Sequence, residues 1–202
     1  MHVAKPRRVA ERKRIVLTGG PGAGKTAVLE LARKHFRGKL DILHEAASIV
    51  FVGGFPRHPE AYARAAAQRA IYHVQAELER IAIETPSDKA ILCDRGTIDG
   101  LAYWPFEPAQ YFADVWSSLE KEIARYDAVI HLRTPPVTNG YHKDALRIEA
   151  AEEAARIDAR LLDVWAAHPR RFVVESTPDF FDKARRAIAI LHQMLPSEMA
   201  IA

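Results

Sequence analysis

Along the chain, short runs of branched apolar residues alternate with longer stretches whose apolar positions recur every three or four residues. The short runs have the length of strands and the long ones the period of helices. Arg14–Thr18, built on Ile15, Val16 and Leu17, predicts a first strand, and Lys25–Phe36 a helix that closes near Gly38. Leu40–His44 reads as a second strand. Pro59–Glu84 predicts a long alanine-rich helix with Ile71, Val74, Leu78 and Ile81 on one face, ended by Pro86. Lys89–Asp94 is a third strand, apolar until its last residue, and Pro108 opens a helix running to about Arg125. Asp127–Leu132 is a fourth strand, and Thr134–Gly140 a loop punctuated by Pro135, Pro136, Asn139 and Gly140. Glu149–Ala167 is helical and stops before Pro169. Arg171–Val174 is a short fifth strand, and Pro178–Met194 a last helix. Such alternation predicts an α/β fold, a doubly wound sheet of five parallel strands with right-handed crossovers.

Composition narrows the class. The 202 residues are 49% hydrophobic and 27% charged, enough to bury a core without disulfides or structural metal. Cys93 is the only cysteine, which excludes an internal disulfide and a thiolate-rich metal site; it reads as a small buried hydrophobe. No apolar run reaches the roughly 18 residues of a membrane span, and no signal-type stretch follows the basic N-terminus, so a cytoplasmic protein is expected. The formal net charge of +3 is unevenly spread: Lys5, Arg7, Arg8, Arg12, Lys13 and Arg14 face only Glu11. Residues 1–13 are therefore expected to be a solvated basic tail, 14–195 one domain, and 196–202 a C-terminal tail. The basic tail is the one feature that invites nucleic acid or acidic lipid.

The candidate chemistry starts at Gly19-Gly20-Pro21-Gly22-Ala23-Gly24-Lys25-Thr26, which satisfies G-x-x-x-x-G-K-[ST] between a strand and a helix. The glycines let successive N–H groups turn inward on phosphate oxygens, and the helix that follows points its unpaired N–H groups and positive dipole end at the same place. Gly20, Gly22, Ala23, Gly24, Lys25, Thr26 and Ala27 are the expected nucleotide contacts. Lys25 bridges phosphates and the Thr26 hydroxyl ligates Mg²⁺ in this arrangement. ATP is the expected ligand, with GTP open.

Asp94, at the end of the third strand, is the expected second magnesium group. Arg95 beside it is positioned either to clamp an anionic group or to form an ion pair with Asp94 or Asp99. Glu45, after Ile42-Leu43-His44, ends the second strand, where ligands of open α/β sheets bind. It reads as the base for an acceptor hydroxyl or as a cap for a following helix. His44 points to the other face. A basic segment over about 133–156, with Arg133, Tyr141, His142, Lys143, Arg147 and Arg156, is the expected lid, Arg147 and then Arg156 supplying charge to the transferred group. Ser176 and Thr177 are placed near the nucleotide base. Tyr103, Trp104 and Phe106 line an acceptor pocket or pack the core.

These residues resemble the P-loop kinase-like family of NadR-type ribosylnicotinamide kinases and related single-domain "AAA family ATPase" proteins. The likeness runs over 14–195 and is carried by Gly19–Thr26, His-Glu-Ala-Ala at 44–47, Cys-Asp-Arg-Gly-Thr-Ile-Asp-Gly-Leu-Ala-Tyr at 93–103, His-Leu-Arg-Thr at 131–134 and Leu-Arg-Ile-Glu at 146–149. The resemblance implies a three-layer P-loop sheet of order 2-3-1-4-5. It places Asp94 and Arg95 at the acid–Arg pair of nucleoside and nucleotide kinases, Glu45 at their strand-end base and Arg147 in their lid. Arg95 stands where a ring ATPase would carry its water-activating acid, which favours transfer to a hydroxyl over ATP-driven remodelling.

The expected function is thus a small-molecule kinase that moves the ATP γ-phosphate to a hydroxyl of a nucleoside-like acceptor, working as a monomer or dimer. The alternative is a nucleotide-dependent switch or weak NTPase. The absence of an Asn-Lys-x-Asp sequence weakens a guanine-specific switch.

Overall fold

A computed structural model of the protein describes residues 12–136, 145–177 and 179–195, with residues 145–150 described by their backbone alone. In chain order it holds β1 (Arg14–Thr18), α1 (Lys25–His35), β2 (Leu40–Leu43), α2 (Ala46–Val52) and α3 (Ala61–Glu84). There follow β3 (Ala90–Asp94), a 3₁₀ helix (Thr97–Tyr103), α4 (Pro108–Asp114), α5 (Leu119–Ala124), β4 (Ala128–Leu132), α6 (Ala145–Val164), β5 (Arg171–Val174) and α7 (Phe180–Met194).

Side chains of a strand alternate between two faces, and strands apolar on both faces need cover on both. Ile15 and Leu17 of β1, Leu92 of β3 and Ile130 and Leu132 of β4 pack on one side with Val28, Leu29 and Ala32 of α1 and Ala184, Ala187 and Leu191 of α7. Val16, Ile91, Cys93 and Val129 pack on the other with Ala82 of α3, Tyr126 and Trp165. The result is the expected three layers around a parallel sheet of order β2-β3-β1-β4-β5. Leu17 lies beside Asp94 and Thr18 beside His131, so the ends of β1, β3 and β4 meet where the chain leaves β1. Among the described residues no helix is long and apolar enough to cross a membrane.

Several expectations shift. α3 begins at Ala61 rather than Pro59, and α6 begins at Ala145, four residues before the expected start. The helix expected from Pro108 to Arg125 is two helices, broken where Trp116 takes a positive φ of 53°. There Ser118 accepts the Lys121 N–H (3.3 Å) and caps α5, a role in which serine competes with a continuous helix. The 3₁₀ helix was not expected, and α2 only as the helix that Glu45 would cap. The basic segment through residue 11, Tyr141, His142 and Lys143, and residues 196–202 lie outside the described residues, as does the side chain of Arg147.

Behind the site a buried polar frame fixes these unexpected pieces. Glu79 of α3 is fully buried. Its carboxylate accepts from Arg125 (2.8 Å), the Tyr126 hydroxyl (2.6 Å) and Gln75 (3.0 Å), and Arg14 stands 3.5 Å away. Glu122 of α5 accepts from Thr97 (2.6 Å) and Tyr72 (2.7 Å), and the Tyr111 hydroxyl donates to the Thr97 carbonyl (2.7 Å). Buried polar groups need such partners, and here they hold the first turn of the 3₁₀ helix directly after Arg95-Gly96.

Candidate active site

The phosphate loop runs from the end of β1 to the start of α1. Gly24 has φ 90°, and a Cβ there would stand 2.5 Å from the Phe180 ring, so the position needs glycine on both counts. A Cβ at Gly20 would meet the Thr134 hydroxyl at 2.5 Å and the Asp158 Cβ at 2.8 Å. Three side chains from the C-terminal half grip the loop. Asp158 accepts the Gly20 N–H (3.1 Å), Lys183 donates to the Ala23 carbonyl (2.7 Å), and the Thr134 hydroxyl donates to the Pro21 carbonyl (3.1 Å). Asp158 also accepts from Arg133 (2.7 Å) and pairs with His131 Nε2 (2.9 Å). Burial raises the affinity of Asp158 for a proton, yet these donors hold it below the usual carboxylate value.

Lys25 Nζ donates to the carbonyls of Gly19 (2.8 Å) and Gly20 (3.1 Å), so its cation lies folded over the loop. Burial, then the charge of Arg95, pulls it down to about 8 against the opposing pull of Asp94, Asp99 and Glu45. An arriving polyphosphate would reverse that balance. Thr26 and Ala27, at the start of α1, are exposed.

Beyond Lys25 lies a cluster of acids around one guanidinium. Arg95 has a positive φ of 74° and donates through Nε to Glu45 (2.6 Å) and through Nη1 to Asp99 (3.3 Å). Asp99 is itself fixed by the Thr18 hydroxyl (2.6 Å) and the Trp165 indole N–H (2.7 Å). Of the two readings of Arg95 the ion pair is present, with Glu45 and Asp99 rather than Asp94 as partners. Glu45 holds the N-cap position of α2 without a side-chain capping bond, and its carboxylate instead accepts from Arg95 and from Ser48 (2.5 Å). Burial pushes the Glu45 carboxyl up, and the Ser48 hydroxyl and Arg95 more than offset it, so Glu45 stays ionised.

Asp94 completes the cluster. Its Oδ1 is buried and has no hydrogen-bond partner. Burial, then the negative charge of Glu45, pushes it up to about 6 despite Arg95 and Lys25. A buried carboxylate oxygen without a donor, next to a loop built for phosphate, fits a hydrated divalent cation, which would satisfy it and keep it ionised. Cys93 is buried, and its thiol is pushed well up by that burial, so it does not act as a nucleophile.

From Glu45 and Arg95 a cleft of about 290 Å³ opens between α2, α3 and the 3₁₀ helix, lined by Phe51, Arg57, Gln68, Ile71, Gln75 and Tyr103 among others. Of the three expected aromatics only Tyr103 faces it. Trp104 packs in a buried cluster with Tyr72 and Tyr111, and the half-exposed Phe106 meets the Trp104 ring edge-on. Arg156 is exposed and paired with Glu153 (2.8 Å). His44, one residue past β2, is exposed and does not line this cleft. Thr177 donates to the Asp179 carbonyl (2.6 Å), ahead of α7. Asp99 was expected as a partner for Arg95, whereas Asp158, Lys183 and the cleft residues Phe51, Arg57 and Gln68 carry no local signal in the motifs. Two of them had a visible trace: Asp158 shares a buried stripe with Leu161 and Trp165, and Lys183 one with Ala184, Ala187 and Leu191. A charge on an apolar stripe needs a partner.

The family model described as "AAA domain" matches residues 14–183. Among curated proteins none matches the chain in sequence. Among solved structures, the deoxyadenosine kinase of M. mycoides with bound dATP has a TM-score of 0.60 at 14% identity, covering 90% of this chain and all of the kinase. The thymidylate kinase of Candida albicans has a TM-score of 0.61 at 13% identity, covering 93% of this chain and 96% of that one. At this identity the likeness is one of fold, and the fold is that of P-loop nucleoside and nucleotide kinases.

Proposed function

Starting from a chain that belongs to the AAA domain family and carries a P-loop kinase fold, we propose a small-molecule kinase that transfers the γ-phosphate of ATP to a hydroxyl of a nucleoside-like acceptor. The observation that carries this reading is the cleft that begins at Glu45 and Arg95, next to Lys25. A protein that only switches on nucleotide binding has no use for a second cavity ending in an ionised carboxylate beside the phosphate loop. Ribosylnicotinamide is one candidate acceptor.

The backbone N–H groups of Gly22 and Gly24, with those of Thr26 and Ala27 at the start of α1, would hold the phosphates, while the Gly20 N–H stays with Asp158 and the Ala23 N–H with the Gly20 carbonyl. Thr26 and Asp94 would hold Mg²⁺, which supplies charge neutralisation on the phosphates when bound. Lys25 exchanges its two carbonyl partners for phosphate oxygens and regains its full charge there. Glu45 accepts a hydrogen bond from the acceptor hydroxyl and aims its oxygen at the γ-phosphorus. The O–P bond to the acceptor forms as the bond to the ADP oxygen breaks, and the hydroxyl proton passes to Glu45. A carboxylate held as acidic as Glu45 takes that proton late, once the oxygen is already bonding to phosphorus. Arg95, fixed by Asp99, holds Glu45 in place and adds positive charge at the transfer point. Arg147, in the first turn of α6, is proposed to serve the transferred group.

The test is ADP release with Mg·ATP against a panel of nucleosides and other small hydroxyl compounds, Lys25→Ala serving as the blank. One acceptor should raise turnover well above the acceptor-free rate and yield a phosphorylated product. With it, Glu45→Gln should keep Mg·ATP affinity and lose roughly 10²-fold or more in transfer. Stimulation by no acceptor, while nucleotide still binds, would move a nucleotide switch ahead of the kinase reading. Near-normal transfer by Glu45→Gln would remove that residue from the mechanism.

A further inference from the structure

The cleft does not end at Gln68 and Tyr103. A second cavity of about 340 Å³ adjoins it, and Phe51, Arg57, Gln68 and Tyr103 line both, so the two are inner and outer lobes of one depression. The charge of the outer lobe is one-sided. It is lined by three arginines from three separate elements: Arg57 between α2 and α3, Arg64 on α3 and Arg160 on α6. Its one acidic lining residue, Glu153, is already engaged by Arg156. Among the described residues, none of the three arginines has a carboxylate partner. Arg160 donates only to the Ala102 carbonyl (3.3 Å), and Arg57 stacks over the Phe51 ring at 4.0 Å. Stacking fixes the plane of a guanidinium and leaves its edge N–H groups free.

A single surface arginine is ordinarily solvated and tells nothing. Three that converge on one cavity, uncompensated, repel one another, and the protein carries that cost without a structural return. The inner lobe differs: the cation that it does not share with the outer lobe, Arg95, is paired with Glu45 and Asp99. Resting on the kinase reading, we propose that the acceptor is an anion: its hydroxyl lies at Glu45 in the inner lobe, and a carboxylate or phosphate at its far end is held by Arg57, Arg64 and Arg160. The arginine fork matches either group bidentately. Phe51 and Tyr103, common to both lobes, flank the part of the molecule between its two ends.

The experiment measures equilibrium binding to the full chain with the phosphate loop filled by a nonhydrolysable ATP analogue, so that no probe anion can lodge there. The carboxylate arm compares 5-carboxyuridine with 5-carbamoyluridine, and the 4-carboxylate with the 4-carboxamide of 5-aminoimidazole riboside. The phosphate arm compares uridine 3′-monophosphate with uridine. In at least one pair the anionic member should bind about tenfold more tightly or better, about 1.4 kcal/mol per tenfold. The gap should narrow as salt is raised, because the arginines are exposed to solvent. In Arg64→Gln/Arg160→Gln it should close to below about threefold, and Arg64→Lys/Arg160→Lys should restore most of it. The arm in which the gap appears identifies the anion. Equal binding within every pair, a gap that survives in the glutamine variant, or no binding by any probe would overturn the proposal. Because binding is read without transfer, a charge gap here together with no phosphorylated product from the same probes in the Mg·ATP turnover assay would sink the kinase reading while leaving the anion site standing.

Discussion

Asp94 shows what a site costs when its charges are arranged for a ligand. Its carboxyl is pushed up to about 6, so the folded protein holds this proton more tightly than the unfolded chain does. Folded-state stability therefore falls as pH rises from the ordinary carboxylate range through about 6, and the full penalty remains at neutral pH. Asp94→Asn removes it. In EDTA and without nucleotide, the variant should melt higher than wild type at pH 7.5, on the order of 1–2 kcal/mol or about 3–6 °C. The difference should shrink toward pH 4.5, where Asp94 is already protonated. Magnesium-dependent nucleotide binding should weaken in the same variant. A lower melting temperature at pH 7.5 would mean that Asp94 is satisfied by the fold and is not strained for a cation. At this scale the sequence was most informative where chemistry is local. Gly19–Thr26 is a contiguous motif, and Asp94 and Arg95 follow an apolar strand. Asp158 and Lys183 show only as charges on apolar stripes, because their partners Gly20 and Ala23 lie 138 and 160 residues away.

The elements taught a different lesson. All five strands were legible, since branched apolar runs buried on both faces leave little ambiguity. The pieces that shape the acceptor side were not. α2 is seven residues long, too short to display a period, and the 3₁₀ helix carries its packing in Thr97, Asp99 and neighbours that bond to other elements. Helix α3 holds this region together through Glu79, whose carboxylate faces Arg14 and Arg125 with Tyr126 and Gln75 on the remaining lone pairs. Removing a buried acid leaves its cations unpaired, so Glu79→Ala should destabilise the protein by about 3–5 kcal/mol in denaturant unfolding. A loss below about 1 kcal/mol would show that water replaces the carboxylate and that α3 is held by its apolar contacts alone.

For the molecule as a whole, the grip of α6 and α7 on the phosphate loop joins the two ends of the domain. A nucleotide analogue with magnesium should therefore slow amide exchange in three places: the loop and the first turns of α1, α6 around Asp158, and the first turn of α7 around Lys183. At a hundredfold excess over Kd the slowing should reach about tenfold or more. Protection confined to residues 19–30 would mean that the three grips do not transmit binding. The fold and its strand order were open to a reader of the sequence, and the cleft was not, because its walls come from three distant segments. That division has a consequence for how such proteins diverge. Phosphate handling is written mostly in one short, contiguous stretch, which is inherited as a block and tolerates little change. The acceptor walls, drawn from residues 45–75, 95–103 and 153–160, can be rewritten piecemeal without disturbing it. Two descendants of one ancestor can thus keep the same donor grammar and learn different vocabularies, so substrate names should be passed between relatives by the residues of the cleft rather than by those of the loop.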